Sequence, residues 1–316
     1  MEIFGLTIDV MSMMFLLMIV GYVLRKANIL PNDTSDVTLA RLETYVFVPA
    51  LNFYSWATSC TVDSLKENWK LVLYGTSAII VMILLSYPLS KLFVKDDAYQ
   101  RNIYKYSLVF SNFGFLGNFV ILGIFGNEGL FKYSMFTLIM TFLVNSWGIC
   151  VLIPQSKKPT VRDLMKKIFN PPILGIIAGA LVGITGIIHW IPDFMMRAFT
   201  NAMNCMGPVG MLLAGFVVAG YEVKELITIK KVYWASLFRL IIIPSVVLSV
   251  FKFVFGLDEF ALTLALVGYG APMGLNTIVY PATYGGETRT GAAMAMVSHV
   301  FALLTVPLLY YLFIVL

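Results

Sequence analysis

The sequence predicts an all-α polytopic membrane protein with ten transmembrane helices, and three observations support this fold class. The first is composition, because 59% of the 316 residues are hydrophobic, 12% are charged, and the mean hydropathy is +0.85. Soluble domains carry about 25% charged residues. The second is a series of ten long apolar segments. The third is a similar interruption in two of these segments, which lie about half a chain apart.

Each of the ten segments is close to the roughly 20 apolar residues that a helix needs to cross a bilayer. They lie at residues 6–24, 39–57, 71–94, 104–125, 131–153, 170–189, 198–220, 232–255, 259–280 and 291–315. The first lacks a basic leading region and a small-residue cleavage site, and Arg25 and Lys26 follow it directly. We therefore interpret it as a retained helix rather than a signal peptide. Little chain remains for a soluble domain.

Basic residues predict the orientation, because they concentrate in the cytoplasmic loops of membrane proteins. Sixteen of the 22 Lys and Arg residues lie in or beside odd-numbered loops, five lie in or beside even-numbered loops, and Arg239 lies within a segment. This asymmetry predicts that both termini are outside and that the loop at 154–169 is cytoplasmic. The net charge of +5 is then explained by topology, so no nucleic acid partner is expected.

The two halves of the chain resemble each other at a shift of about 158 residues, which places Asn118 on Asn276. Because each half holds five segments, the second half must enter the membrane in the opposite orientation. The halves are therefore predicted to form two inverted five-helix repeats. The predicted units are residues 1–153, a cytoplasmic linker at 154–169, and residues 170–316.

Two segments are interrupted near the expected bilayer midplane. The fourth contains Asn112-Phe113-Gly114-Phe115-Leu116-Gly117-Asn118, and the ninth contains Gly270-Ala271-Pro272-Met273-Gly274-Leu275-Asn276. Gly and Pro there free backbone groups that lipid cannot satisfy, so this backbone must face protein or a polar cavity. A pair of interrupted segments at matching places in two halves indicates the substrate site of a secondary transporter.

Anion binding is the expected chemistry of the two interruptions. If the fourth segment is broken between Gly114 and Gly117, its second half begins near Asn118 with unpaired N–H groups of partial positive charge. The ninth segment does the same from the opposite side, and such helix ends suit a carboxylate. The alternative is that the glycines only allow close helix packing. The candidate substrate-binding residues are Asn112, Gly114, Gly117, Asn118, Pro272, Met273 and Asn276.

Four ionisable residues within the segments need an explanation. Arg239 is the one basic residue deep in a segment; it attracts an anionic substrate, holds its helix against its neighbours, or extends to the cytoplasmic surface. His299 is a candidate for coupling because histidine titrates near neutral pH, with hydrogen-bonded packing as the alternative. Asp9 and Glu43 lie near segment ends and are expected at the membrane interface, with a coupling role as the alternative.

The fifth segment has Asn145 as its main polar group, where a carboxylate-based sodium or proton antiport centre would need paired aspartates. Asn145 is a further candidate for a charge or coupling role. The chain has two histidines and three cysteines, Cys60, Cys150 and Cys205, without regular spacing. The sequence therefore predicts no metal site and no disulfide framework. Without a catalytic constellation, we expect neither a cofactor nor an enzyme.

Short motifs are spaced along nearly the whole chain. They are Arg41-Leu42, Tyr45-Val46-Phe47-Val48-Pro49-Ala50-Leu51, Ser111-Asn112, Gly114-Phe115-Leu116-Gly117, Asn170-Pro171-Pro172-Ile173, Arg239-Leu240 with Pro244, Ala271-Pro272, Tyr284-Gly285-Gly286 and Thr305-Val306-Pro307-Leu308. In this order and spacing they resemble the auxin efflux carrier family, which includes plant auxin exporters and bacterial permeases for malate, malonate and similar organic anions.

The resemblance implies a fold similar to bile acid symporters and sodium/proton antiporters, in which broken helices four and nine cross. It also implies a scaffold of helices 1, 2, 6 and 7 that forms a homodimer, and a transport domain of helices 3–5 and 8–10 that moves like an elevator. This chain departs from many relatives in having Phe119 where they carry Pro, and Asn118 where they often carry an aliphatic residue.

These features together predict a secondary transporter for small organic anions, mono- or dicarboxylates such as malate or malonate, in the lipid bilayer of the cytoplasmic membrane. Plant auxin exporters have a long loop between the two halves, whereas the link here is short, which favours a bacterial-type permease. A passive anion channel of the same architecture and a membrane sensor that binds a ligand without moving it are the alternatives. The lack of a sizeable soluble domain argues against the sensor.

Overall fold

The computed structural model describes residues 2–32, 34–154, 169–284 and 286–316. The secondary structure of these residues is helical, and the described part of the chain contains no β-strand. The predicted linker at 154–169 lies almost wholly outside the described residues. The α-helices are α1 (Glu2–Lys26), α2 (Ser35–Leu42), α3 (Val48–Ser59), α4 (Val62–Phe93), α5 (Ala98–Val109), α6 (Asn118–Phe136), α7 (Leu138–Leu143), α8 (Ile149–Leu152), α9 (Pro171–Thr185), α10 (Asp193–Val218), α11 (Val223–Ile227), α12 (Lys230–Leu237), α13 (Ile243–Ser249), α14 (Glu259–Gly270), α15 (Asn276–Tyr284) and α16 (Arg289–Tyr310).

Short π-helical turns join several of these α-helices end to end. They lie at Glu43–Phe47, Phe113–Gly117, Val144–Gly148, Phe238–Ile242, Val250–Val254 and Tyr311–Val315. As a result, α2 and α3 form one continuous helical stretch, as do α12 and α13. A π turn inserts an extra residue into a helix and is frequent at functional sites.

Six described segments are long and apolar enough to cross a membrane. They are Ile8–Lys26, Val62–Phe93, Phe113–Phe136, Asp193–Val218, Lys230–Val254 and Arg289–Val315, and shorter apolar helices lie at Leu138–Leu152, Pro171–Thr185 and Glu259–Gly270. Large apolar side chains such as Leu84, Phe253 and Leu304 are exposed on the outer surface, where a bilayer would cover them. These findings agree with the predicted all-helical, multi-pass membrane protein, while the count of ten spans and the inverted repeat stay predictions.

Polar caps begin several helices. Thr61 and Ser64 begin α4 with a reciprocal pair of side chain to backbone hydrogen bonds. The Asp97 carboxylate begins α5 by accepting from two backbone N–H groups, and Asn170 and Asp258 each accept from one at the start of α9 and α14. Such caps satisfy N–H groups that the first turn of a helix leaves unpaired. They give these helices defined starting points.

Glycines bring two pairs of helices into backbone contact. A Cβ added at Gly175 of α9 would lie 2.6 Å from the Pro49 carbonyl oxygen, and one at Gly179 would lie 2.5 Å from the Phe53 carbonyl oxygen. Small residues four positions apart allow this close approach between membrane helices. α1 and α10 meet at glycines in the same way, and α10 also packs on α3. The four helices α1, α3, α9 and α10 therefore form one packed group.

The largest cluster of buried apolar side chains draws mainly on α4, α5, α6, α14 and α16, and residues of α1 and α10, such as Met14 and Met211, also belong to it. Within it the rings of Phe93 and Tyr104 stack with centroids 5.2 Å apart. We call α4, α5, α6, α14 and α16 the second group, and the two groups meet both in this apolar cluster and around a polar cavity.

Candidate functional site

The first interruption lies before the glycines rather than between them. α5 gives way to an extended conformation at Phe110 (φ −104°, ψ 125°), and Asn112 (φ −80°, ψ 44°) precedes the π turn Phe113–Gly117, which continues directly into α6. The prediction of a break between Gly114 and Gly117 is therefore wrong. Both glycines are helical, and the chain leaves the helix earlier because the Asn112 N–H donates to another segment.

The second interruption lies where the sequence places it. α14 ends at Gly270 and α15 begins at Asn276. Between them, Ala271 is extended (φ −61°, ψ 152°), because the residue before a proline is disfavoured in the helical conformation. Pro272 itself has no N–H to donate within a helix.

The two interruptions contact each other directly. The Asn112 N–H donates to the Pro272 carbonyl oxygen at 2.6 Å, and Ser111 pairs with Met273 in an isolated antiparallel bridge. The Ser111 hydroxyl donates to the Gly268 carbonyl oxygen at 2.6 Å, one of the carbonyls left unpaired at the C-terminus of α14. Backbone groups freed by one break are thus satisfied at the other.

Each interruption leaves a helix N-terminus at the same cavity. After the first, residues 113–115 line the cavity, ahead of the N–H groups of Leu116 and Gly117, which both donate to the Asn112 carbonyl oxygen at 3.1 Å. After the second, residues 274–276 line the cavity at the start of α15. The first N–H groups of a helix have no intrahelical acceptor and carry partial positive charge. Two helix ends of partial positive charge therefore converge on the cavity. The first of them begins at Phe113, whereas the sequence predicts it near Asn118.

The cavity has a volume of about 150 Å³ and a lining of neutral polar and apolar side chains. Within the described part of the chain, no Asp, Glu, Lys or Arg lines it. Its polar groups are amides and hydroxyls. Six asparagines contribute, namely Asn52, Asn112, Asn118, Asn145, Asn170 and Asn276.

His299 of α16 orients Asn112. Asn112 Nδ2 lies 3.1 Å from His299 Nε2, and His299 Nδ1 lies 2.7 Å from the Ala295 carbonyl oxygen. A carbonyl oxygen only accepts, so Nδ1 carries the proton and Nε2 accepts from the Asn112 amide. His299 is therefore a buried hydrogen-bonded residue here, and it fixes the orientation of the Asn112 amide.

Tyrosines hold two more of the amides. Asn276 Nδ2 donates to the Tyr106 hydroxyl at 3.1 Å, and the Tyr280 hydroxyl donates to Asn145 Oδ1 at 3.3 Å. The side chain of Asn118, by contrast, has no hydrogen-bond partner among the described residues. Asn118 is therefore the amide most available to a ligand.

Three of the seven candidate substrate-binding residues do not line the cavity. Gly117 packs against the Tyr133 hydroxyl. Pro272 and Met273 form the contact between the breaks, and the Met273 N–H also donates to the Ser298 hydroxyl at 3.0 Å. Pro272 and Met273 therefore hold the two interruptions together.

Arg239 also lies away from the cavity. It is 0% exposed, so the predicted alternative of extension to the surface is wrong. Its Nη1 donates to the Tyr269 carbonyl oxygen at 2.6 Å, close to the end of α14. A cation at this position stabilises the negatively polarised C-terminus of an interrupted helix.

Several lining residues are absent from the sequence prediction. Asn52 of α3 and Asn170 at the start of α9 line the cavity, and Asn52 Nδ2 donates to the Pro172 carbonyl oxygen at 2.9 Å. Their signal in the sequence is indirect. It consists of the Asn-Pro-Pro start of α9 and the spacing of Gly175 and Gly179, which brings α9 against α3.

A multi-pass helical protein whose interrupted helices converge on a polar cavity is typical of membrane transporters. The family model described as membrane transport protein matches residues 7–310. The chain therefore belongs to this family of membrane transporters, the auxin efflux carrier family indicated by its motifs. It is also similar to an uncharacterized transporter of Methanocaldococcus jannaschii, with 26% identity over 309 residues that cover 95% of this chain and 96% of the relative.

Proposed function

We propose that the protein is a carrier that moves small organic anions, such as the dicarboxylates malate and malonate, across the cytoplasmic membrane. The observation that carries the proposal is the convergence of two helix N-termini, at residues 113–115 and 274–276, on one cavity. Unpaired N–H groups at such ends bind carboxylates and phosphates. No acidic side chain of the described lining opposes an anion there.

Amide groups would complete the coordination of a carboxylate. Asn118 has both amide hydrogens available, and Asn276 keeps one beside its bond to Tyr106. The cavity volume of about 150 Å³ is well below the roughly 300–1,000 Å³ of drug-sized ligand sites. The size and the lining therefore both favour a small anion.

We further propose that the protein has ten transmembrane helices in two inverted repeats. Its mechanism is then that of an elevator, in which one group of helices moves past the other. In support, α1, α3, α9 and α10 are packed together through glycines, the interrupted helices belong to the other group, and the cavity lies between the two groups. On this proposal the first group is the scaffold of a homodimer and the second carries the substrate. The distribution of Lys and Arg supports termini on the outer side.

The function is tested by measuring the electrical current across a supported membrane that contains the reconstituted protein. Malate, malonate, citrate, lactate and indole acetate are each applied by rapid exchange. We expect a transient that saturates with at least one anion. Asn118→Ala and Asn276→Ala should each weaken the apparent affinity about tenfold or more, because a hydrogen bond to a charged group contributes about 1.5–3 kcal/mol. Asn68→Ala is the matched control, since Asn68 donates to the Ser64 carbonyl oxygen outside the cavity.

Three outcomes would contradict parts of this proposal. Unchanged affinity in folded Asn118→Ala and Asn276→Ala proteins would exclude these residues from the site. Currents that rise without saturation would indicate a passive channel. Binding of an anion without current or uptake would indicate a sensor.

A further inference from the structure

Glu43 is a buried carboxyl group without a partner. It begins the π turn Glu43–Phe47, it is 0% exposed, and neither of its carboxylate oxygens has a hydrogen-bond partner in the described structure. Glu43 is therefore enclosed by protein, whereas its depth in the membrane stays a prediction. The helix begins at Ser35, earlier than the sequence indicates, so Glu43 lies more than two turns inside it.

The carboxyl group faces α10 and the first helix break. Its Oε1 lies 3.6 Å from the position that a Cβ on Gly210 would occupy, and Cβ of Phe115 lies 3.4 Å from the same position. Phe115 lines the polar cavity, as does Thr44 beside Glu43. The carboxyl group is thus one side chain away from the cavity, at the contact between the two groups of helices.

No cation compensates this carboxyl group among the described residues. The helices packed against it are α2, α3, α9 and α10, together with the break segment Phe113–Gly117. The other titratable residues of these elements are Asp36, Arg41, Tyr45, Tyr54, Asp193, Arg197 and Cys205. None of them is hydrogen-bonded to Glu43. Arg41, two residues away, is exposed and lies on a different face of the helix.

A carboxylate without a partner is far more costly to bury than a neutral carboxylic acid. We propose that Glu43 is a proton-binding site. It holds a proton in the arrangement seen here, called closed because α10 and Phe113–Gly117 enclose the carboxyl group. It releases the proton when the surface between α10 and Phe113–Gly117 opens to water. This inference rests on the proposed carrier, whose movement would open that surface, and it identifies the proton as the coupling ion.

The coupling follows from the difference between the two arrangements. The neutral acid is compatible with the dry contact against Gly210 and Phe115, whereas the carboxylate needs water. Proton binding therefore shifts the equilibrium toward the closed arrangement, and ionisation shifts it toward the open one. Any anion that binds one arrangement better than the other is then linked to proton binding.

Infrared spectroscopy of the purified full chain tests the protonation without any substrate. The protein is dissolved in a detergent that lacks ester groups. Exposed carboxylates are ionised at neutral pH, whereas a protonated Glu43 adds a carboxylic acid C=O stretching band to the spectrum. We expect this band in the wild-type protein and its loss in Glu43→Gln, which preserves the shape of the neutral acid. Glu128→Gln is the matched control and should retain the band, because exposed Glu128 is ion-paired with Lys132 at 2.6 Å.

A wild-type spectrum without the band, or a band that Glu43→Gln leaves unchanged, would overturn the proton site whatever the protein transports. The first of these outcomes needs no variant, so the test does not depend on the folding of Glu43→Gln.

Vesicles that contain reconstituted protein and a pH-sensitive dye test the coupling. Malate or malonate should change the internal pH with the wild-type protein, and Glu43→Gln should lose this change while it still exchanges labelled anion across the membrane. Proton movement that persists with the anion in Glu43→Gln would overturn the coupling role. If neither protein transports either anion, the proposed function fails for these anions, while the infrared result still decides whether Glu43 holds a proton.

Discussion

Ser111→Ala tests whether the contact between the two interruptions stabilises the fold. The Ser111 hydroxyl donates to the Gly268 carbonyl oxygen at 2.6 Å, and Ser111 is 4% exposed. Gly268 lies in the last turn of α14, where no N–H of the helix reaches its carbonyl oxygen. Alanine therefore leaves a buried acceptor unpaired, which costs about 1–3 kcal/mol. We expect the free energy of unfolding to fall by that amount.

Ser107→Ala is the matched control for this prediction. Ser107 lies one turn earlier on α5 and is 0% exposed, but its hydroxyl donates to the Ile103 carbonyl oxygen at 2.9 Å. An N–H of α5 already satisfies that acceptor, so we expect a loss below about 1 kcal/mol. Chemical unfolding of both purified variants in detergent, followed by tryptophan fluorescence, gives the two values. Equal losses in the two variants would refute the reasoning.

Three further predictions concern helix packing and the amides of the cavity. Gly179→Ala places a methyl group 2.5 Å from a carbonyl oxygen of α3 and should lower the thermal unfolding temperature, because overpacking costs about 1–3 kcal/mol; an unchanged temperature would argue against the close backbone contact. Tyr106→Phe removes the acceptor of the Asn276 amide, so the concentration dependence of the transport current should show up to about tenfold weaker affinity in a folded protein. His299→Gln keeps an acceptor for the Asn112 amide and His299→Ala does not, so the glutamine variant should retain more uptake; equal uptake would mean that the histidine does not orient the amide.

The two interruptions differ in how far the sequence could predict them. The second has a local cause, because Pro272 lacks an N–H and restricts the residue before it. The first has a tertiary cause. Gly114 and Gly117 tolerate helical as well as irregular backbone, and the chain leaves the helix at Phe110–Asn112 because acceptors on a distant segment, including the Gly268 carbonyl oxygen, are available there. A single sequence does not reveal such partners.

The cavity was predictable in part for the same reason. Asn112, Asn118 and Asn276 could be found because each is a polar residue in an apolar segment beside an interruption. Asn52 and Asn170 could not, since they reach the cavity only through the packing of α9 against α3. The shift of about 158 residues pairs Asn118 with Asn276, but the two residues have different places in their helices. Asn276 begins its helix, whereas Asn118 follows a π turn.

The backbone contacts between α3 and α9 give the two walls of the cavity different mechanical properties. The wall that carries Asn52 and Asn170 is joined by main-chain atoms, which have no rotamers to exchange, so it changes only if whole helices separate. The opposite wall is joined by individual hydrogen bonds, such as those of Ser111 and Asn112, and water can replace these one at a time. The wall of the broken helices can therefore loosen one hydrogen bond at a time, whereas the wall of α3 and α9 keeps Asn52 and Asn170 in fixed positions.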